Sequence, residues 1–134
     1  MALKEKGLAT TLREYVFEWE NRNGVTIDLF IENPKRMKLE TEQAIYRIIQ
    51  EALANVARHS QSENVGVSLA FNGQTVKVVV SDDGVGFDVK RRANGMGLRT
   101  IKERAESIGG EVLIESAPGK GTQVIITVPF NGVS

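Results

Sequence analysis

The chain has 134 residues, with 17 Lys+Arg balanced by 17 Asp+Glu, so no net field draws it to nucleic acid or to anionic lipid. A hydrophobic content of 41% with 25% charged residues is that of one ordinary globular domain. Cysteine is absent, which removes disulfides and thiolate metal sites, no apolar run approaches the roughly 18 residues of a membrane span, and the N-terminus is no signal peptide.

In chain order, the opening "MALKEKGLAT" starts mid-pattern in a helical stretch and reads as a domain taken from a longer protein. Over 3–22, Leu8, Leu12, Tyr15, Val16 and Trp19 recur at three-to-four spacing and predict an amphipathic helix, with Trp19 in core or interface packing. After "NG" at 23–24, Val25, Ile27, Leu29 and Ile31 alternate as a strand that "ENPKR" closes. Residues 41–59 predict the strongest helix, with Thr41 as its cap and Ile45, Ile48, Ile49, Ala52 and Val56 as its apolar stripe. Val65, Val67, Leu69 and Phe71 alternate in a strand, and "NG" at 72–73 turns the chain into a second, "QTVKVVVSD". Residues 84–97 lack periodicity and read as a loop. A short helix over 98–108 ends at Gly109-Gly110, and "EVLIES" and "TQVIITVPF" are strands joined by "APGKG". Helices mixed with mainly antiparallel strands predict a single α/β two-layer sandwich with the helices on one face of the sheet.

Polar residues interrupt this pattern at three places. In "VKVVVSD", Asp82 is in phase with the inward Val76, Val78 and Val80, whereas Asp83 is in the other phase. A carboxylate at the core edge is costly without good donors, so Asp82 either meets a ligand there or caps the Asp-Gly turn with its own backbone. Thr122 extends the inward phase of Val124, Ile126 and Val128, so Asp82 and Thr122 are candidates for one pocket beside glycines that permit close backbone approach. On the long helix, Glu51, Asn55 and Arg58 stand at i, i+4 and i+7, with His59 on their flank. An acid, an amide and a cation in one row suit a Mg²⁺-phosphate site, or equally a solvated face of ordinary helix pairs. His59 is the only histidine and fits packing at a helix end as well as ligand contact, so no histidine cluster for zinc exists. No Ser-His-Asp or Cys-His set is available. "GMGLRT" lacks the third dinucleotide glycine, "PGKGT" is not a P-loop, and "DDGVGFD" is not a calcium hand.

Taken together, "QEALANVARH" (50–59), "DDGVGF" (82–87), "GMGL" (95–98) and "GKGT" (119–122) resemble the N box and three glycine boxes of the ATP-binding catalytic domain of two-component sensor histidine kinases. That domain belongs to the superfamily of gyrase-type ATPases, heat-shock chaperones and mismatch-repair ATPases. The stretches around the boxes most resemble the nitrate-sensor-like branch, whose kinases pair with helix-turn-helix response regulators. The resemblance covers about 25–130 and implies the Bergerat-type fold, with 1–22 as a leading helix and 84–97 as the ATP lid.

By position, it gives Asp82 the adenine amino group, Thr122 a supporting bond to that carboxylate and a bridging water, and Asn55 the Mg²⁺ on the triphosphate. Arg58 falls to phosphate, His59 to phosphates or ribose, and Glu51 to the position that activates water in the hydrolysing relatives. Gly84, Gly86, Gly95, Gly97 and Leu98 complete the nucleotide-binding set. Lys90, Arg91 and Arg92 are lid charges that meet phosphate or simply solvent. No phosphoacceptor histidine box or phenylalanine-centred box is visible. The resemblance thus implies a domain that binds Mg-ATP but needs separate dimerisation helices to receive the γ-phosphate. The expected place is the cytoplasm, without direct membrane or nucleic-acid contact; whether the parent kinase is membrane-anchored is open. The rival functions are an anti-sigma-factor-type serine kinase and a non-catalytic adenine-nucleotide sensor.

Overall fold

The computed structural model describes residues 2–60, 62–86 and 97–130. Its elements follow the expected order: α1 (Ala2–Asn23), β1 (Ile27–Glu32), α2 (Leu39–Asn55), β2 (Val65–Asn72), β3 (Thr75–Asp82), α3 (Leu98–Ser107), β4 (Glu111–Ser116) and β5 (Thr122–Pro129). The five strands form one sheet ordered β1-β2-β3-β5-β4, in which β1 and β2 are parallel and all other pairs antiparallel. The parallel pair requires a crossover, which α2 supplies. The α/β sandwich expected from sequence is therefore present.

Alternation decides where the core lies. Val65, Val67, Leu69 and Phe71 on β2, Val76, Val78 and Val80 on β3, and Val124, Ile126 and Val128 on β5 are all buried against the helices. The α2 stripe Ile45, Ile48, Ile49, Ala52 and Val56 meets them, joined by Leu53. Leu8, Leu12, Val16 and Trp19 carry α1 into the same cluster, which settles Trp19 as core. Tyr15 leans edge-on against Tyr46, with ring centroids 5.7 Å apart, and ties α1 to α2.

Four local expectations are corrected. First, α1 is kinked at Gly7, whose φ of 84° only glycine adopts without strain, and the Arg36 side chain packs over the gap. Second, Thr41 does not cap α2. The helix begins at Leu39, the residue before it is Lys38 without a side-chain cap, and Glu42 anchors the start instead. The Glu42 carboxylate, fully buried, accepts from Met37 N–H at 3.1 Å and from Arg36 Nε at 3.2 Å. Arg36 in turn donates to the Lys4 carbonyl at 3.0 Å, so one buried acid fastens the 33–38 connection to both helices. Third, the predicted helix 41–59 is α-helical only to Asn55. Val56–Ser60 forms a π-helical turn, a widening often found at functional sites. The strand expected from Val25 begins at Ile27.

Candidate functional site

The sequence boxes come together in pairs. Asp82 and Thr122 are direct partners across β3 and β5, in the middle of a row at one end of the strands in which Val65 and Ser116 flank them. Gly84 N–H donates to Asp82 Oδ1 at 2.8 Å, so Asp82 does make the local Asp-Gly turn. Both sequence alternatives hold at once, since one oxygen serves the turn while the side chain sits half-buried at the core edge. Burial pushes the Asp82 carboxyl above the usual carboxylate range; the Gly84 N–H pulls it down, and neighbouring Asp83 adds a push upward. Its environment therefore favours a partner that donates.

Asp83 behaves oppositely. Its carboxylate accepts from Asn64 Nδ2 at 2.6 Å, from Asn64 N–H at 3.0 Å and from Glu63 N–H at 3.1 Å. These donors, the Asn64 side chain foremost, hold Asp83 below the usual range, and its role is to pin the 63–64 segment to the end of β3. Alternation predicted the outward face of Asp83 but gave no signal for this clamp.

The turn 117–121 closes over the first glycine box. Gly119 N–H donates to the Val85 carbonyl at 2.6 Å. A Cβ at Gly86 would overlap the Ala117 carbonyl, and one at Gly121 would overlap the Asp82 carbonyl. Both glycines have positive φ, so the "GVG" and "GKG" glycines let two backbone segments pack onto each other. Gly86, which the resemblance places on the nucleotide, and Gly121 are each constrained here by backbone on backbone.

The Thr122 hydroxyl does not reach Asp82. It lies 2.8 Å from Ser116 Oγ, and Ser116 Oγ donates to the Gly121 carbonyl at 2.9 Å. Since the serine proton goes to a carbonyl, the threonine must donate in the Ser116–Thr122 bond. Thr122 then shows lone pairs, not a proton, to its surroundings. Ser116 was not among the sequence candidates; its place across from Thr122 in the β4–β5 register was the missing information.

On α2, Arg58 Nη2 donates to Asn55 Oδ1 at 3.2 Å across the π-helical turn, so these two residues stay adjacent. Glu51 instead lies against Gly97, where a Cβ would overlap its carboxylate. Gly97 caps α3 with φ 72°, so the carboxylate stands at the positive end of that helix. The N box and the second glycine box are thereby in contact. Leu98 is buried in the core, and its contribution to a site is confined to its backbone at the start of α3. No hydrogen bond links Asp82 or Thr122 to Asn55 or Arg58 among the described residues. Gly95, Lys90, Arg91, Arg92 and most of the 84–97 lid lie outside the described residues, as does the side chain of His59. Among the described residues no group of three His, Cys, Asp or Glu is placed to hold a metal, so a Mg²⁺ here would rest on the Asn55 amide and on phosphate oxygens. No helix among them is long and apolar enough to cross a membrane.

A concavity of about 830 Å³ among the described residues wraps around this end of the sheet from the face without helices. Asp28, Gly66, Ser81, Lys120 and Gln123 line it, and it touches Asp82 and Thr122 but none of Glu51, Asn55 or Arg58. It therefore adjoins the helix-side site and shares Asp82 and Thr122 with it.

The architecture is that of histidine kinase catalytic domains. The histidine kinase domain of the blue-light activated histidine kinase of Erythrobacter litoralis EL346 superimposes with a TM-score of 0.74, over 92% of this chain and 61% of that one, at 24% identity. The Acinetobacter baumannii histidine kinase AdeS gives 0.72 over 95% and 65%, at 14% identity. Residues 40–132 match the histidine kinase-, DNA gyrase B-, and HSP90-like ATPase family, and the chain belongs to it.

Among curated relatives, the sensor histidine kinase LiaS of Bacillus subtilis is 37% identical, over 97% of this chain and 36% of its own length. The histidine-protein kinase/phosphatase DegS of Brevibacillus brevis is 35% identical over 97% and 34%. The oxygen sensor histidine kinase NreB of Staphylococcus carnosus is 36% identical over 96% and 38%. The chain thus spans about a third of the length of these relatives. The resemblance carried by the four boxes is borne out, and ATP binding comes with the family.

Proposed function

We propose that the chain is the catalytic ATP-binding domain of a sensor histidine kinase, which holds Mg-ATP and presents its γ-phosphate to a histidine on separate dimerisation helices. The observation that carries this reading is Asp82, a half-buried carboxylate short of donors, set across from Thr122 at the mouth of the sheet. Its free oxygen accepts the exocyclic amine of adenine and would oppose the carbonyl that guanine places there. Thr122, with its proton committed to Ser116, accepts from a water bridging to the base.

Asn55 supplies a neutral oxygen for Mg²⁺, which neutralises phosphate charge, once Arg58, which donates to that oxygen in the unliganded protein, turns to the phosphate oxygens. The first amides of α3, beginning at Leu98, have no intrahelical acceptor and face phosphate, with residues 84–97 as the lid. Glu51, whose carboxylate lies against Gly97 at the start of α3, stands beside the phosphates at the position that activates water in the hydrolysing relatives. No residue of this site acts as nucleophile. Transfer rests on alignment and charge neutralisation while the acceptor imidazole forms its bond to phosphorus and ADP leaves. On this reading the parent acts in two-component signalling, as its sensor histidine kinase relatives support, with a helix-turn-helix response regulator downstream and this domain in the cytoplasm where ATP is found.

The test is incubation with γ-³²P-ATP and Mg²⁺, with and without a dimerisation domain carrying the phosphoacceptor histidine. Acid-labile label on that domain supports the proposal. Acid-stable label on serine of an added partner would favour the anti-sigma-factor type, and ATP binding without transfer to either would favour a nucleotide sensor.

A further inference from the structure

The helices cover one face of the sheet only, and among the described residues nothing covers the other. Strand register turns that open face into three rows running across all five strands. The central row is Phe30–Ser68–Val79–Ile125–Leu113. Phe30 is 57% exposed and Leu113 56%, two of the four large exposed apolar side chains among the described residues, and they stand at opposite ends of one row. One flanking row is Asp28–Gly66–Ser81–Gln123–Glu115, and the other is Glu32–Ala70–Lys77–Thr127–Glu111. Both edge strands therefore read acid–apolar–acid. None of these four carboxylates is in an ion pair among the described residues. Gly66 leaves its row hollow, and the 830 Å³ concavity opens there between Asp28 and Glu115.

We propose that this face docks a basic amphipathic helix lying across the strands. Its apolar stripe would run along Phe30, Val79, Ile125 and Leu113. Lysine or arginine near both of its ends would meet Asp28 and Glu32 on β1 and Glu111 and Glu115 on β4. Four inter-strand spacings of about 4.8 Å make the row roughly 19 Å long, the length of about 13 helical residues. Lys77, midway along one flank, rejects a cationic residue at the helix centre and confines the positive charge to its ends. A second copy of this chain does not fit, because a twofold face-to-face pair would set these acids against acids. An apolar row bounded by complementary charge is how an amphipathic helix is read.

The test uses the whole 134-residue chain and three 14-residue probes: a Leu-striped helix with Lys at both ends, its Glu-ended counterpart, and a scramble of the Lys peptide without an apolar face. Amide shifts of the ¹⁵N-labelled protein map the contact. The expected result is shifts along β1, β3, β5 and β4 with the Lys-ended helix alone. Affinity should drop tenfold or more in Phe30→Ser/Leu113→Ser, and salt dependence should weaken in Asp28→Asn/Glu115→Gln. Both double variants sit far from the core, and their far-UV spectra and melting temperatures check the fold. Shifts confined to the helical face, equal binding by the scramble, unchanged affinity of the Phe30→Ser/Leu113→Ser protein, or dimerisation through this face in sedimentation would each overturn the proposal.

Discussion

Replacing Asp82 by asparagine separates binding from folding, because the two respond in opposite directions. In the variant the amide oxygen must take the place of Oδ1, where Gly84 N–H donates. That orientation puts the NH₂ group where the second carboxylate oxygen faced the ligand, so a donor opposes the adenine amine. A charge-assisted hydrogen bond is worth about 1.5–3 kcal/mol, so affinity should fall roughly 10- to 150-fold. For 134 residues the unfolding entropy is about 0.28 kcal/mol/K, so ATP at a hundred times Kd, worth about 2.7 kcal/mol, raises Tm by roughly 10 °C. The same ATP concentration should raise the Tm of Asp82→Asn by only about 1–5 °C.

Without ATP the sign reverses. The folded state holds the Asp82 proton more tightly than the unfolded chain, since burial raises its pKa. Its contribution to stability therefore declines as pH climbs from the ordinary carboxylate range through the raised value. The ligand-free variant should melt above the wild type at pH 7 and lose this decline. Asp83, held low by Asn64, has the opposite sign: its stabilisation is present above the ordinary carboxylate range and is lost as pH falls through its lowered value. Calorimetry with ATP and melting curves from pH 3 to 8 read both effects. Near-native ATP affinity in Asp82→Asn would refute the adenine assignment, and a lower ligand-free Tm at pH 7 would refute the desolvation argument.

Three further outcomes are expected. Asn55→Ala should leave Mg²⁺-free nucleotide binding close to wild type and abolish the gain that Mg²⁺ confers, as titrations with and without EDTA would show. Ser116→Ala releases the Thr122 proton and should weaken ATP about fivefold, on the order of 1 kcal/mol for one hydrogen bond, while Ser116→Thr should keep affinity. Arg36→Ala should leave the Glu42 carboxylate buried with Met37 N–H and cost about 2–3 kcal/mol, read as a fall in Cm at constant m-value in urea unfolding.

Period-two and period-3.6 patterns are strong where one face of an element is buried, and that is why the strands, the three helices and their inward residues were legible in the sequence. The same alternation separated Asp82 from Asp83 and placed Thr122 in phase with the core. Four short boxes in register supplied the family. What alternation cannot carry is register between strands or the direction of a proton. Ser116 entered the site only because β4 pairs with β5. Gly86 and Gly121 proved to be packed on neighbouring backbone once the 117–121 turn had folded over Val85.

Glu42 reads as a surface acid by type, yet Arg36 and Met37, close in sequence but placed by the turn after β1, make its burial tolerable. Glu51 meets Gly97 at the start of α3, a contact set by the packing of two helices far apart in sequence. Local pattern, then, determined which residues face inward and which family the chain resembles. Tertiary structure decided what those residues meet, because a hydrogen bond depends on distance and direction that no single segment contains.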